Sequence, residues 1–248
     1  MGLLSVQDLA FIFGLLGNIV SFLVFLAPIP TFHTIYKKKS SDGFQPVPYS
    51  VAFFSASLLL YYAMLKTNAY MIVSINGIGC VIEAIYLVIY LIYASKKAKI
   101  SVVRLILLFN VGGLGLIMIV SLLVVKSSKR VSAVGWMCAI TNIAVFAAPL
   151  CIMRQVIRTK SVEFMPFTLS LFLTLCATMW FFYGFFIKDY YIALPNVLGF
   201  LFGIAQMILY FIYKNTNNGG DQLEPNKDIE KNVNLEEAID RENVSKMN

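Results

Sequence analysis

Seven long stretches with almost no charged side chains constrain this chain of 248 residues more than any other feature. Each stretch has at least 21 residues, and only one is interrupted, by Glu83. A helix needs about 20 residues to cross the core of a bilayer, and none of the stretches alternates strictly as a barrel strand does. The sequence therefore predicts an all-α polytopic membrane protein with seven transmembrane helices. The predicted spans are 9–36, 43–65, 67–95, 105–125, 131–153, 164–187 and 190–213.

The composition excludes several classes of protein. Apolar residues make up 59% of the chain and charged residues only 13%, and the mean hydropathy is +0.77. These values exclude a soluble enzyme, a disordered chain and a nucleic-acid-binding protein. The net charge of +7 does not point to a polyanion partner, because the basic excess lies in short gaps between apolar stretches.

The charges in those gaps predict the orientation. The first, third and fifth gaps hold ten Lys and Arg residues, and the other three hold five. By the positive-inside rule the N-terminus is extracellular and the C-terminus cytoplasmic. The first span is too long for a cleavable signal peptide, so we expect it to act as a signal anchor. The acidic, Asn-rich tail 214–248 is expected to be disordered, and its sequon at Asn243 should stay unmodified in the cytosol.

The chain also contains an internal repeat, seen as six segment pairs in the same order, 118 to 121 residues apart. Six ordered matches are more than composition alone produces. The pairs are Val24–Pro28 with Val145–Pro149, Lys39-Ser40 with Lys160-Ser161, Pro48-Tyr49 with Pro166-Phe167, Tyr61–Ala63 with Phe182–Gly184, Asn76–Gly79 with Asn196–Gly199, and Ile89–Tyr93 with Leu209–Tyr213.

The repeat predicts two parallel three-helix bundles joined by a linker helix, a 3+1+3 arrangement. The linker returns the chain across the membrane, so that both copies enter in the same orientation. Transporters built this way bind substrate near the midplane, between the copies. The predicted units are the first repeat 1–95, the linker 96–130 with its flanking loops, the second repeat 131–213 and the tail 214–248.

Two sets of residues inside the spans suggest function. Pro28, Pro48, Pro149 and Pro166 form repeat-related pairs, which we interpret as a ring of hinges near the cytoplasmic mouth. The alternative is that Pro48 and Pro166 merely start their helices. Asn76 and Asn196 are paired amides that can bind sugar hydroxyls or, alternatively, join neighbouring helices.

Other residues admit functional and structural interpretations. Trp180 could stack on a sugar ring or face lipid, whereas Trp136 fits an interfacial aromatic belt. Glu83 is the only acid deep within a span, and His33 lies near the end of the first span. Because the spans contain no relay of acids and histidines, the sequence favours facilitated diffusion over proton symport. The four cysteines lie within spans, where we expect packing residues rather than disulfides or metal ligands.

These motifs resemble the SWEET (MtN3/saliva) family of sugar transporters over about residues 5–213. The most specific segments are Arg158–Phe167 and Leu194–Gly199. The chain is similar to plant members of the group associated with sucrose rather than hexose. The resemblance implies a sugar uniporter of the plasma membrane that works by alternating access, without a metal or organic cofactor. The implied partners are the sugar and the lipid bilayer. The resemblance leaves open whether the protein forms a homo- or hetero-oligomer with related transporters.

The resemblance also implies roles for individual residues. The implied gates are Tyr62 with Asp189 on the outside and the four prolines on the inside. Leu59 stands where many similar members have tryptophan, and Cys176 stands where serine is expected. Both departures leave the pocket apolar or small. The implied substrate-binding residues are Asn76, Asn196, Trp180, Ser55, Leu59, Val145, Cys176, Ser21 and Val24.

Two other classes of protein share parts of this pattern. A seven-helix receptor shares the topology, but it has no need of a repeat, and a retinal protein would need a lysine in 190–213. An intramembrane enzyme would need an acid–base pair or a metal cluster within the spans. A hexose-selective member of the same transporter family is the third alternative.

Overall fold

A computed structural model describes residues 5–163 and 165–215 of the chain. All the regular structure in these ranges is helical, and seven helices are long and apolar enough to cross a membrane. This confirms the predicted fold class. The proposed disorder of the tail and the sequon at Asn243 lie outside the described residues. The spans are Val6–Lys38, Val47–Met64, Tyr70–Tyr93, Lys96–Leu123, Ser127–Thr159, Phe167–Phe186 and Tyr190–Tyr213.

The helices extend beyond the apolar stretches, and three gaps predicted as loops are largely helical. The predicted gap 96–104 lies within the first helix of the fourth span, Lys96–Leu105, which Ser95 caps by accepting a hydrogen bond from the amide of Ala98. The gaps at 126–130 and 154–163 are likewise mostly helical. A fall in hydropathy marks the point where a helix leaves the hydrocarbon core of the bilayer. The helix itself can continue beyond that point, because long basic side chains reach the interface.

The first and fifth spans are each broken near a proline. The first consists of Val6–Leu26 and Ile29–Lys38, and the fifth of Ser127–Val145 and Ala147–Thr159. The fourth span is continuous but carries the π-helical segment Ile106–Gly113 between Lys96–Leu105 and Leu114–Leu123. Breaks at equivalent places in two spans divide each into a longer and a shorter helix that can tilt separately.

The spans pack in the same pattern on both sides of the molecule. The third span contacts the first and second, and the seventh contacts the fifth and sixth. Between the two groups, the first span packs against the sixth and the second against the fifth. The fourth span contacts the second and the fifth. A space enclosed by spans of both groups lies at the centre.

Small residues allow the two groups to approach closely. A Cβ atom added at Gly14 would lie 2.9 Å from the ring of Tyr183, and one at Gly17 would lie 3.1 Å from the indole of Trp180. Glycine at both positions lets aromatic side chains of the sixth span lie directly on the backbone of the first.

Repeat-related residues also share local geometry at the helix ends. Lys39 and Lys160 both adopt left-handed backbone conformations, with φ of 51° and 56°, where their helices end. The Lys39 ammonium donates to the Tyr93 hydroxyl at 3.4 Å, and that of Lys160 donates to Tyr213 at 3.1 Å. A lysine where the first span ends thus bonds the last tyrosine of the third span. In the second group, a lysine where the fifth span ends bonds the last tyrosine of the seventh span in the same way.

Candidate functional site

A cavity of about 590 Å³ lies between the two groups of spans. The first, second, third, fifth, sixth and seventh spans all contribute to its wall. Seven of the nine residues predicted to bind substrate line it. They are Ser21, Ser55, Leu59, Asn76, Val145, Trp180 and Asn196.

The two paired amides have the same geometry. Nδ2 of Asn76 donates to the carbonyl of Ile72 at 2.8 Å, and Nδ2 of Asn196 donates to the carbonyl of Ile192 at 2.8 Å. Each bond stays within one helix, so among the described residues neither amide joins neighbouring helices as the structural alternative requires. No described side chain donates to either Oδ1 atom, so both carbonyl oxygens are available to a hydroxyl in the cavity.

The indole of Trp180 is held from behind by the first span. Its Nε1 donates to Oγ of Ser21 at 2.9 Å, and the ring packs edge-on to Tyr183 with centroids 5.3 Å apart. An indole N–H inside a helix bundle needs such a partner, and here Ser21 of the first span provides it. The ring is therefore fixed in position, and Trp180 lines the cavity.

Two predicted wall residues do not line the cavity. Sγ of Cys176 lies 3.1 Å from Oγ of Ser21, so Cys176 supports Ser21 and does not face the space. Val24 is half-buried outside the wall, and its neighbour Phe25 lines the cavity instead. Adjacent residues on a helix differ by about 100° in direction, and the rotation of the first span decides which of them points inward.

Several residues of the cavity wall were not predicted from the sequence. Asn142 lines the cavity and accepts a hydrogen bond from Oγ of Ser55 at 3.0 Å, which links the second and fifth spans. It lies 121 residues after Ser21, so applying the repeat to Ser21 would have found it. Phe25 and Phe146, also a repeat-related pair, line the cavity beside the breaks in their spans.

The end of the bundle that carries Tyr62 and Asp189 is closed. The hydroxyl of Tyr62 donates to Oδ2 of Asp189 at 2.8 Å, and Lys66 forms an ion pair with the same oxygen. Asp189 also accepts from the amide of Tyr191 at the start of the seventh span. Tyr62 and Asp189 are 1% and 3% exposed, so these bonds join the two groups through side chains that are almost fully buried. Lys66 was not predicted, although it lies only four residues after Tyr62, just beyond the end of the second span.

A second cavity of about 410 Å³ lies beside this closed end. Tyr62, Lys66 and Asp189 line it, together with Lys188 and Trp136. Trp136 is 55% exposed and packs edge-on to Tyr191. Its place beside the closed end, away from the central cavity, is compatible with the predicted interfacial belt.

The four prolines lie toward the opposite end but in two different settings. Pro48 is the second residue of the second span and lines the cavity, and Pro166 directly precedes the sixth span. Proline at a helix start removes no helical hydrogen bond, which matches the structural alternative for these two. Pro28 and Pro149 instead lie at the breaks in the first and fifth spans.

Glu83 lies two helical turns beyond Asn76 on the third span and is 4% exposed. Its Oε2 atom has no hydrogen-bond partner among the described residues, and the side chain does not line the cavity. His33 is exposed. Neither residue lines the cavity.

A seven-span bundle with a central cavity, closed at one end and lined by paired amides and a fixed indole, has the architecture of a transporter. The family described as "sugar efflux transporter for intercellular exchange" (MtN3) matches residues 11–98 and 132–218. The chain belongs to this family, the SWEET family of bidirectional sugar transporters.

Several relatives are closely similar. The bidirectional sugar transporter NEC1 of Petunia hybrida is 66% identical over 222 residues, which cover 90% of this chain and 83% of that protein. SWEET9 of Arabidopsis thaliana is 62% identical over 211 residues, covering 85% and 82% of the two chains. A solved structure of a eukaryotic SWEET transporter matches with a TM-score of 0.80 at 34% identity, covering 85% of this chain and 99% of that one.

Proposed function

We propose that the protein carries sugar, with sucrose as main substrate and hexoses tolerated, by uniport across the plasma membrane. The observation that carries this proposal is the convergence of Asn76, Asn196 and Trp180 on one cavity between the two groups of spans. The amide oxygens accept hydrogen bonds from sugar hydroxyls, and the indole stacks on the C–H face of the sugar ring. This combination suits a ligand that is polar at its edge and apolar on its faces.

The proposal includes a two-copy architecture, with repeats 1–95 and 131–213 joined by the linker 96–130. The family match falls in two segments that correspond to these copies. The equivalent bonds of Asn76 and Asn196, and of Lys39 and Lys160, also support it. A sugar between two similar copies meets similar groups on both sides, which suits a carrier that releases substrate to either side.

Alternating access follows if the two ends of the cavity open in turn. Here the Tyr62–Asp189 end is closed, while the cavity wall extends to Pro48 and to Ala148 at the other end. In the proposed orientation, with the N-terminus outside and the C-terminus in the cytosol, this state faces the cytoplasm. Separating Tyr62 and Lys66 from Asp189 would open the outer gate, and bending at the breaks near Pro28 and Pro149 would close the inner one.

The size of the wall residues supports sucrose over a strictly hexose-selective site. Ser55 and Val145 are small, and a cavity of about 590 Å³ lies within the usual range for small-molecule sites. Leu59 is the residue that favours the hexose alternative, because a leucine in the cavity wall provides no second ring, besides that of Trp180, on which a disaccharide could stack. The relatives are named as sugar transporters without a specified sugar.

The proposal is tested by radiolabelled sucrose and glucose flux in oocytes that express the natural protein, Asn76→Ala or Asn196→Ala. Losing a buried hydrogen-bond partner costs about 1–3 kcal/mol, so we expect flux per molecule at the surface to fall at least about fivefold for each variant. The matched control is Asn18→Ala. The amide of Asn18 bonds the carbonyl of Met71 and does not line the cavity. Normal flux in both variants would contradict the proposed site.

A further inference from the structure

Two glycines lie directly against aromatic rings of the cavity wall. Gly79 and Gly199 each follow the paired asparagine of their span by three residues. A Cβ atom added at Gly79 would lie 2.5 Å from Cζ of Phe25, and one added at Gly199 would lie 3.1 Å from Cζ of Phe146. Both phenylalanines line the cavity, whereas neither glycine does.

The backbone of Phe25 cannot easily move away from Gly79. The hydroxyl of Tyr86 donates to the Phe25 carbonyl at 2.8 Å, and Tyr86 is 4% exposed. Tyr86 is itself stacked on Phe32, with ring centroids 4.3 Å apart. Any group that displaces the ring of Phe25 must therefore act on the side chain, and the space free to receive that ring is the cavity.

We propose that Gly79 and Gly199 are positioning residues for sugar-size selectivity, because they hold the rings of Phe25 and Phe146 back from the cavity. This inference rests on the proposed function, since it takes the cavity as the path of the sugar. A methyl group at either glycine pushes a ring toward the sugar and narrows the cavity. A disaccharide then meets the ring before a hexose does.

The contribution of the two glycines is unequal. At Gly199 the nearest atoms to an added methyl group are Cζ of Phe146 at 3.1 Å and Cβ of Ala177 at 3.2 Å, a tight fit that small shifts can relieve. At Gly79 the overlap at 2.5 Å requires the ring to move. The effect of Gly79→Ala on selectivity should therefore exceed that of Gly199→Ala.

The test compares sucrose and glucose flux, at matched surface expression, for Gly79→Ala, Gly199→Ala and the control Gly77→Ala. Gly77 lies on the same helix, but an added Cβ atom there meets nothing within 4 Å. We expect the sucrose-to-glucose ratio to fall about fivefold or more for Gly79→Ala. It should fall less for Gly199→Ala and stay unchanged for Gly77→Ala.

Rescue distinguishes positioning from a general packing defect. The double variant Phe25→Leu with Gly79→Ala should restore the sucrose-to-glucose ratio, because the shorter side chain no longer fills the cavity. If Gly79→Ala does not reach the surface, Phe25→Leu alone still tests the idea, since it should raise the ratio. The inference is overturned if Gly79→Ala keeps the ratio of Gly77→Ala, if the double variant keeps the lowered ratio, or if Phe25→Leu leaves the ratio unchanged.

The flux of Asn76→Ala separates the two proposals. Loss of flux in Asn76→Ala together with unchanged selectivity in Gly79→Ala means that the cavity carries sugar but the glycine does not tune its width. Normal flux in both Asn76→Ala and Asn196→Ala would contradict the proposed sugar site. The inference about the glycines would then lose its basis, because it takes the cavity as the path of the sugar.

Discussion

The hydroxyl of Tyr62 donates a hydrogen bond of 2.8 Å to Asp189, although 127 residues separate them along the chain. The same carboxylate pairs with Lys66 and caps the start of the seventh span. One buried carboxylate thus binds the second span to the seventh and connects the two groups of helices at this end. Because the polar contacts between the two groups at this end converge on one carboxylate, single substitutions there should shift the equilibrium between closed and open states.

Tyr62→Phe and Lys66→Met should both favour opening of this end. Losing the hydrogen bond of the Tyr62 hydroxyl is expected to cost about 1–3 kcal/mol, and losing the ammonium that pairs with Asp189 about 3–5 kcal/mol. Lys66→Met should therefore have the larger effect. The measurement is the rate at which an impermeant reagent, added outside, modifies a cysteine introduced at Ala52 in the cavity. Lys188→Met is the control, because Lys188 lines the outer cavity but forms no ion pair with a described residue. Equal rates in all variants would contradict a gate at Asp189.

The prolines should divide into two classes. Pro28→Ala and Pro149→Ala should slow turnover with little change in KM. A continuous helix without the break resists the bending that closes the inner end of the cavity. Pro48→Ala and Pro166→Ala should have smaller effects on turnover, since these residues stand at helix starts. Turnover and KM from concentration-dependent flux provide the comparison. A uniform effect of all four substitutions would instead support a ring of four equivalent hinges.

The size of the cavity wall should set the substrate preference. Val145→Met adds bulk inside the cavity and should shift preference from sucrose toward glucose. The repeat-related control is Val24→Met, which adds the same bulk outside the wall. Leu59→Trp should lower the KM for sucrose, because it adds a second aromatic ring to the cavity wall besides that of Trp180. Flux of both sugars at matched surface expression measures these changes, and identical behaviour of Val145→Met and Val24→Met would contradict the prediction.

Transport should be bidirectional and independent of a proton gradient. Glu83 does not line the cavity, and its Oε2 atom has no hydrogen-bond partner among the described residues. Glu83→Gln keeps the shape of the side chain and should retain flux at each pH. Uptake and efflux are compared with and without a protonophore. Accumulation of sugar against its gradient, lost with the protonophore or in Glu83→Gln, would show proton coupling.

Much of the architecture was determined by the sequence alone, because the features involved are local. An apolar stretch long enough to cross the bilayer must be helical, since its backbone groups find no water. The seven apolar stretches therefore predicted seven spans, and the internal repeat indicated Asn76 and Asn196. The prolines at 28 and 149 marked the two breaks, because a missing backbone N–H acts within one helical turn.

Only the tertiary structure decided which side of each helix faces the cavity. Phe25 lines the wall and Val24 does not, while Cys176 lies behind Ser21, because the rotation of each span depends on its neighbours. The pairing of Lys66 with Asp189 likewise required the second and seventh spans to meet. Hydropathy within a membrane is nearly uniform around each helix, so the pattern of apolar residues carries little information about these orientations. The packing between spans determines the orientation of each helix.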